Sequence, residues 1–175
     1  TIHLTYMQLY KTRHWFYPLP NYNLLKTQDG NTMATFEERF QGIWSMVSII
    51  NEIDGNKSEP FGSSPIGSLI ITPSYRYIMV FMQANIPIFA INDRLKGTAK
   101  EYKTIAEKTF SMFGSYKISN EAEGNVSLFV DGCSFPNWIG HELERTYIIN
   151  DDMLIVTVPL GDGNGINTIT WYRLQ

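Results

Sequence analysis

The fold is decided by the stretch Phe40-Gln41-Gly42-Ile43-Trp44-Ser45-Met46-Val47-Ser48, in which a Gly-x-Trp motif begins a long apolar segment. Glycine in a strand often marks a close backbone approach, so this motif alone indicates a bend followed by a large core residue. The C-terminal stretch Thr170-Trp171-Tyr172-Arg173-Leu174 adds an arginine. Trp44 and Arg173 can stack only if the first and last strands are neighbours, as closure of an up-and-down barrel requires. A guanidinium over an indole contributes about 0.5–2 kcal/mol, and we expect this pair to close the barrel floor.

Turn signals divide the remainder of the chain into short apolar segments that alternate or run continuously, as strands do. The predicted strands are residues 42–51, 67–72, 75–82, 115–119, 125–131, 142–149, 153–158 and 166–174. The first is apolar at both parities, which predicts that both of its faces are covered. Eight strands are the number at which a closed barrel can hold one small ligand.

Two capping boxes predict two helices. Thr35-x-x-Glu38 begins a short helix that leads into the first strand, and Thr98-x-x-Glu101 begins a longer helix whose apolar rhythm continues to Gly114. Between strands three and four, residues 83–97 are unusually apolar for a connection. They form either a flap over a cavity mouth or a segment packed on the barrel wall. The predicted fold is therefore mainly β, an eight-stranded antiparallel up-and-down barrel with a short N-terminal helix and one inserted helix.

Residues 1–32 differ from the rest, because they are rich in Tyr and His and show neither helical nor strand periodicity. Met33-Ala34-Thr35 has the pattern of a start site followed by a helix N-cap. We predict that residues 33–175 form the barrel domain and that residues 1–32 are an extension outside the native domain. The alternative is a genuine arm whose aromatic side chains pack on the barrel.

Composition excludes several functions. The net charge of −3, with no run of Lys or Arg, argues against nucleic acid and anionic membranes as partners. The single Cys133 excludes an internal disulfide, and three scattered His lack metal-ligand spacing. No apolar run is long enough to span a membrane, and the N-terminus lacks the pattern of a signal peptide. We expect a cytoplasmic domain without metal or cofactor, and exposed strand edges would make a homodimer unsurprising.

The chain resembles the lipocalin-like domain family of small bacterial and fungal proteins. The resemblance covers about residues 36–174, and its most specific piece is the Phe-Pro-Asn-Trp-x-Gly motif. The matching segments are residues 42–48, 61–70, 110–116, 134–140 and 170–174. It implies a barrel with an internal cavity, but no shared catalytic motif. Two departures are Pro73-Ser74, where the family usually has Asp-Gly, and the absence of a His near Ser127-Leu128-Phe129.

Arg145 is the most informative charged residue. It shares strand parity with Leu143, Tyr147 and Ile149, so we expect it to point into the barrel, where it needs a carboxylate, carbonyls or an anionic ligand. A structural ion pair or aromatic stacking would also satisfy it. His141 lies at the predicted rim and is a weak acid–base candidate, although a rim His is commonly just solvated.

The remaining candidates are side chains predicted to line a pocket, or else to fill a solid core. Trp138 would either cover the cavity or anchor its loop to the wall, and anchoring is favoured. Glu142 and Glu144 should face solvent, and Cys133 lacks the neighbours that activate a thiol. The predicted ligand-binding residues are Tyr77, Met79, Phe81, Tyr116, Trp138, Arg145, Tyr147 and Trp171.

Three functions fit these residues. The leading one is binding of a small hydrophobic molecule in the barrel, with Arg145 and tyrosine hydroxyls at its polar end. The second is a cofactor-independent isomerase or cyclase of a natural-product pathway using the same cavity, since relatives of this shape include both carriers and such enzymes. The third is a structural or interaction protein with a filled barrel.

Overall fold

The structure is a computed structural model that describes residues 34–161 and 163–174. The prediction that residues 1–32 are an extension falls outside these residues and stays a prediction. The helices are α1 (Phe36–Phe40) and α2 (Ala99–Lys108), with a short 3-10 helix at Pro136–Trp138. The strands are β1 (Gly42–Ile53), β2 (Asn56–Ser58), β3 (Ile66–Ile71), β4 (Arg76–Met82), β5 (Thr109–Asn120), β6 (Asn125–Cys133), β7 (Glu142–Asn150), β8 (Met153–Pro159) and β9 (Gly165–Arg173).

The strands form a closed antiparallel barrel. Their order is β2-β1-β3-β4-β5-β6-β7-β8-β9, and β1 also pairs with β9. Eight long strands therefore make an up-and-down barrel, and the three-residue β2 is an added hairpin partner of the far end of β1. Asp54 and Gly55 have positive φ values of 50° and 77°, as the tight turn between β1 and β2 requires. The predicted fold class is confirmed.

Strand β1 differs from the prediction at its outer face. The side chains of Ile43 and Val47 are 48% and 42% exposed, so this face is open to solvent and the prediction of two covered faces is wrong. A register shift between Met46 and Ser48 explains the apolar runs at both parities. This β-bulge moves the inward set from Trp44 and Met46 to Ile49, which is buried.

Helix α2 is shorter than its periodicity predicts. It ends at Lys108, and Thr109 begins β5, so the predicted helix to Gly114 and the predicted strand start at residue 115 are both wrong. Met112, Gly114 and Tyr116 are buried at every second position, which is the period of a strand. Pairing of Thr109–Ser115 with Arg76–Met82 of β4 gives this segment its strand conformation. Tertiary pairing thus overrides the local helical rhythm.

Candidate functional site

One end of the barrel interior is closed by α1. Thr35 and Glu38 form the predicted capping box, and the Phe40 ring packs edge-on against Tyr147 with their centroids 4.9 Å apart. The Trp44 indole Nε1 donates to the Phe40 carbonyl at 3.1 Å. The Arg39 guanidinium donates to the carbonyl of Ile149 at 2.5 Å and so ties α1 to β7.

At this closed end of the barrel, the floor, Arg173 of the last strand contacts Trp44 of the first strand. Its Cζ lies 4.0 Å from the Trp44 ring centroid, and its guanidinium donates to the backbone carbonyls of Gln41, at 2.8 Å, and Arg39. Gly42 has a φ of +135°, and a Cβ there would lie 2.7 Å from Arg173 Nη1. The glycine of the Gly-x-Trp motif therefore leaves room for the guanidinium.

Tyr116 also belongs to the floor. Its hydroxyl donates to the Thr72 carbonyl at 3.0 Å, and its ring packs against Phe40 with centroids 5.5 Å apart. Gln41 Nε2 approaches the same hydroxyl at 3.4 Å. The predicted ligand residue Tyr116 thus has its hydroxyl engaged by the backbone at the closed end.

The middle of the barrel contains two tyrosines and the predicted arginine. Tyr77 on β4 and Tyr147 on β7 are buried, and Arg145 lies on the inward parity of β7 and is partly buried. Tyr77 pairs with Gly114 of β5, an inward position without a side chain. The structure therefore brings these polar groups to one interior.

The rest of the interior is aromatic and aliphatic. Phe81 packs on Phe110 and Phe61 with centroid distances of 5.0 Å to each, and it reaches across to Trp171 at 6.2 Å. Met79 is inward and partly buried beside them. Trp138, in the 3-10 helix, packs on Phe110 at 5.9 Å, which is the contact expected of a loop anchor.

Two buried polar atoms of this interior have no partner among the residues that the structure describes. The Tyr77 hydroxyl and the Trp171 Nε1 are buried and make no hydrogen bond within the described part of the chain. Their side chains are 2% and 0% exposed. Leaving such a group unpaired costs about 1–3 kcal/mol.

Burial also shifts the pKa values of Tyr147, Tyr77 and Arg145. Burial raises the pKa of Tyr147 to about 12, against an opposing effect of the Arg145 charge. Burial is also the main reason that the pKa of Tyr77 is raised. Burial lowers the pKa of Arg145, and Tyr147 and Tyr77 act electrostatically in the opposite direction. Both phenols therefore remain protonated donors at neutral pH, and an arginine remains charged.

The other sequence candidates lie apart from this cluster. His141 and Glu142 are exposed at the start of β7, and Glu144 faces outward. The Glu144 carboxylate accepts hydrogen bonds from the Ser119 and Ser127 hydroxyls. The Cys133 Sγ accepts from the Phe135 amide at 3.3 Å. The structure brings none of these residues to Arg145 as an acid–base pair.

An inward amide pair escaped the sequence analysis. Asn167 Nδ2 donates to Asn51 Oδ1 at 2.6 Å, between β9 and β1 and away from the floor. The bulge after Met46 is what turns Asn51 inward, because without it the opposite parity would face the core. Periodicity does not predict this pair, because its two residues are far apart in the chain and the bulge reverses which side chains of β1 face inward.

The apolar connection before α2 is tied to that helix. Glu101 accepts from the Ala90 amide at 2.7 Å, and the Tyr102 hydroxyl accepts from the Gly97 amide at 2.8 Å. A groove of about 700 Å³ lies between this connection and α2, beside those hydrogen bonds. Its lining residues are Ile88, Phe89, Ile91, Asn92, Asp93, Arg94, Tyr102 and Ile105.

Within residues 34–161 and 163–174, no group of three or more His, Cys, Asp or Glu side chains is arranged to hold a metal ion. Among the same residues, no helix is long and apolar enough to cross a membrane.

A closed barrel of eight strands is compatible with holding one small ligand and equally with an interior filled by side chains. A family model described as a lipocalin-like domain matches residues 41–174, which is most of the chain, and the protein therefore belongs to that family. A search of curated proteins finds no match.

Proposed function

We propose that this protein binds a small, mostly apolar molecule inside its barrel. The observation that carries the proposal is a pair of buried donors in the interior, Tyr77 Oη and Trp171 Nε1, that have no hydrogen-bond partner among the described residues. A barrel filled only by its own side chains would normally pair such groups. An acceptor on a ligand would satisfy them.

The ligand surface that we propose comprises the residues above the floor. Phe81, Met79 and Trp171 supply apolar area, and Tyr77 and Arg145 supply donors. Trp138 closes one side through its contact with Phe110. Tyr147 borders the site from below, and Tyr116 supports the floor through its bond to Thr72.

The test is a titration with 1-pyrenebutanol, a neutral fluorescent probe, followed by its emission and by native mass spectrometry. We expect saturable binding of one probe per chain. Met79→Trp, which fills the interior, should abolish binding, whereas the matched Val80→Trp on the outer face of the same strand should not. Circular dichroism checks that both variants fold. Binding that is absent in the unmodified protein, or that survives Met79→Trp in a folded barrel, would support the filled-barrel alternative.

A second candidate function is a cofactor-independent isomerase or cyclase. The observation that favours it is that Arg145 and two protonated tyrosines form a preorganised set of donors, which can stabilise negative charge developing on a substrate oxygen. His141 is exposed at the rim and is the weaker catalytic candidate. Native mass spectrometry of the protein from its own cells would identify the bound molecule. Its conversion to an isomer of equal mass, lost in Arg145→Ala, would support the enzyme.

We also propose that the protein acts in the cytoplasm and forms a homodimer. Supporting the dimer, exposed Ile43, Ile78 and Phe113 lie on the outer faces of three strands of the sheet. Light scattering after gel filtration tests the assembly, and a mass of one chain would contradict it. Fractionation of the source cells tests the location.

A further inference from the structure

We propose that the bound molecule carries an acidic oxygen group, such as a carboxylate, and that Arg145 binds this group together with the Tyr77 hydroxyl. This inference rests on the proposed function and specifies the class of ligand. It excludes amines and neutral hydrocarbons as the preferred occupants.

The first argument is that the charge of Arg145 has no counter-ion among the residues that the structure describes. No acidic side chain in the described ranges lies within ion-pair distance of it. Its one hydrogen bond there runs from Nη1 to the neighbouring carbonyl of Glu144, at 2.7 Å. That bond uses one of five guanidinium donors. A partly buried cation with so few partners is costly, and an anionic ligand would offset the cost.

The second argument is that the nearby carboxylates already have other partners. Glu144 points outward, and its oxygens accept from Ser119 and Ser127. Asp131, whose charge influences Tyr77, forms an ion pair with Arg76 at 2.7 Å. Neither acid pairs with Arg145, so neither of these carboxylates neutralises its charge.

The third argument is that Arg145, Trp171 and Tyr77 together offer more donors than acceptors. An arginine and an indole only donate, and a tyrosine held protonated by burial can donate as well. Trp171 Nε1 and Tyr77 Oη are both unpartnered within the described residues. A ligand amine would bring further donors to this set and a second positive charge to Arg145. A carboxylate brings two acceptor oxygens and the opposite charge.

The experiment compares 1-pyrenebutyrate with 1-pyrenebutanol, which share a ring system and chain and differ in the polar end. We expect the folded protein to bind the acid at least about tenfold more tightly than the alcohol. Arg145→Gln should reduce that preference to within about threefold, because it should weaken binding of the acid far more than binding of the alcohol. Tyr77→Phe should reduce it partially. The control is Arg76→Gln, which removes a cation from the outer wall and should preserve the preference.

A thermal measurement separates a binding role from a structural one. If Arg145 has no ion-pair partner in the ligand-free protein, Arg145→Met should leave the Tm unchanged or raise it. A structural ion pair would instead lower it. A lowered Tm would overturn the assignment.

The outcomes distinguish this inference from the proposed function. Equal binding of both probes would overturn the acidic-ligand inference and leave small-ligand binding intact. A preference that persists in Arg145→Gln, or in Tyr77→Phe if the first variant does not fold, would overturn the assignment of these residues. Binding of neither probe would overturn both proposals.

Discussion

Replacing Arg173 by methionine should destabilise the barrel far more than its position near the end of the chain suggests. The change removes the contact with the Trp44 ring at 4.0 Å and two charge-assisted hydrogen bonds to backbone carbonyls. The ring contact contributes about 0.5–2 kcal/mol, and hydrogen bonds of a charged group contribute about 1.5–3 kcal/mol each, less where water reaches them. We expect the free energy of unfolding to fall by about 3 kcal/mol.

Urea unfolding followed by far-UV circular dichroism measures this change. Arg173→Lys keeps the cation but loses the forked pair of donors, so its loss should be about half as large. The control is Arg76→Met, which removes an ion pair whose side chains are about half exposed and should cost at most about 1 kcal/mol. If Arg173→Met cost no more than Arg76→Met, the argument that this residue holds the floor closed would be refuted.

A second variant tests the same geometry from the other side. Gly42→Ala introduces a Cβ about 2.7 Å from Arg173 Nη1, at a φ of +135° that L side chains rarely adopt. The backbone strain is the same whichever residue is at position 173, but the clash with the guanidinium is not. Gly42→Ala should therefore cost more in the unmodified protein than in Arg173→Met. Equal costs would show that only backbone strain is at work.

Three further predictions concern other parts of the barrel. Gly114→Ala would place a Cβ 1.8 Å from the Phe129 carbonyl oxygen. We therefore expect urea unfolding to show a loss of at least about 2 kcal/mol in the free energy of unfolding. The control is Gly161→Ala, where the added Cβ has no atom within 4 Å, and it should cost less than about 0.5 kcal/mol. Thr98→Ala removes the cap of α2 and should cost about 1 kcal/mol, with faster hydrogen exchange in the first turn of the helix. Hydrogen bonds from two serines lower the pKa of Glu144, so the stability that its carboxylate contributes is present above its unfolded pKa and is lost as pH falls. Glu144→Gln should therefore be destabilising at pH about 7 and progressively less so below about 4. A difference in stability that does not depend on pH would contradict this.

The topology was accessible from sequence because its signals are local. Turn residues separate the strands, and the motif around Trp44 and the final Trp-Tyr-Arg each indicate which strands must meet. The parity of β7 likewise placed Arg145 inward, since its neighbours alternate cleanly. These features depend on residues a few positions apart, which periodicity detects.

The sequence predictions were wrong where contacts between distant parts of the chain determine the local conformation. The rhythm from Tyr102 to Phe113 fits a helix, and only pairing with β4 makes its second half a strand. The bulge after Met46 reverses which residues face inward and so brings Asn51 to Asn167. Whether the Tyr77 hydroxyl finds a partner among the described residues depends on which side chains lie across the barrel. Sequence patterns do not report which side chains meet across the barrel.

The pairing of β1 with β9 has a consequence for how the protein is made. The hydrogen bond from Arg173 to Gln41 links residues 132 positions apart, so β1 must wait for nearly the whole domain to be synthesised before its second neighbour exists. During that interval the nascent chain carries an open sheet with an unpaired edge, which is a template for association with other chains. A chain ending before Gly165 would retain that edge permanently. Ribosome-bound intermediates and C-terminal truncations of this barrel should therefore depend on chaperones in a way that the finished protein does not.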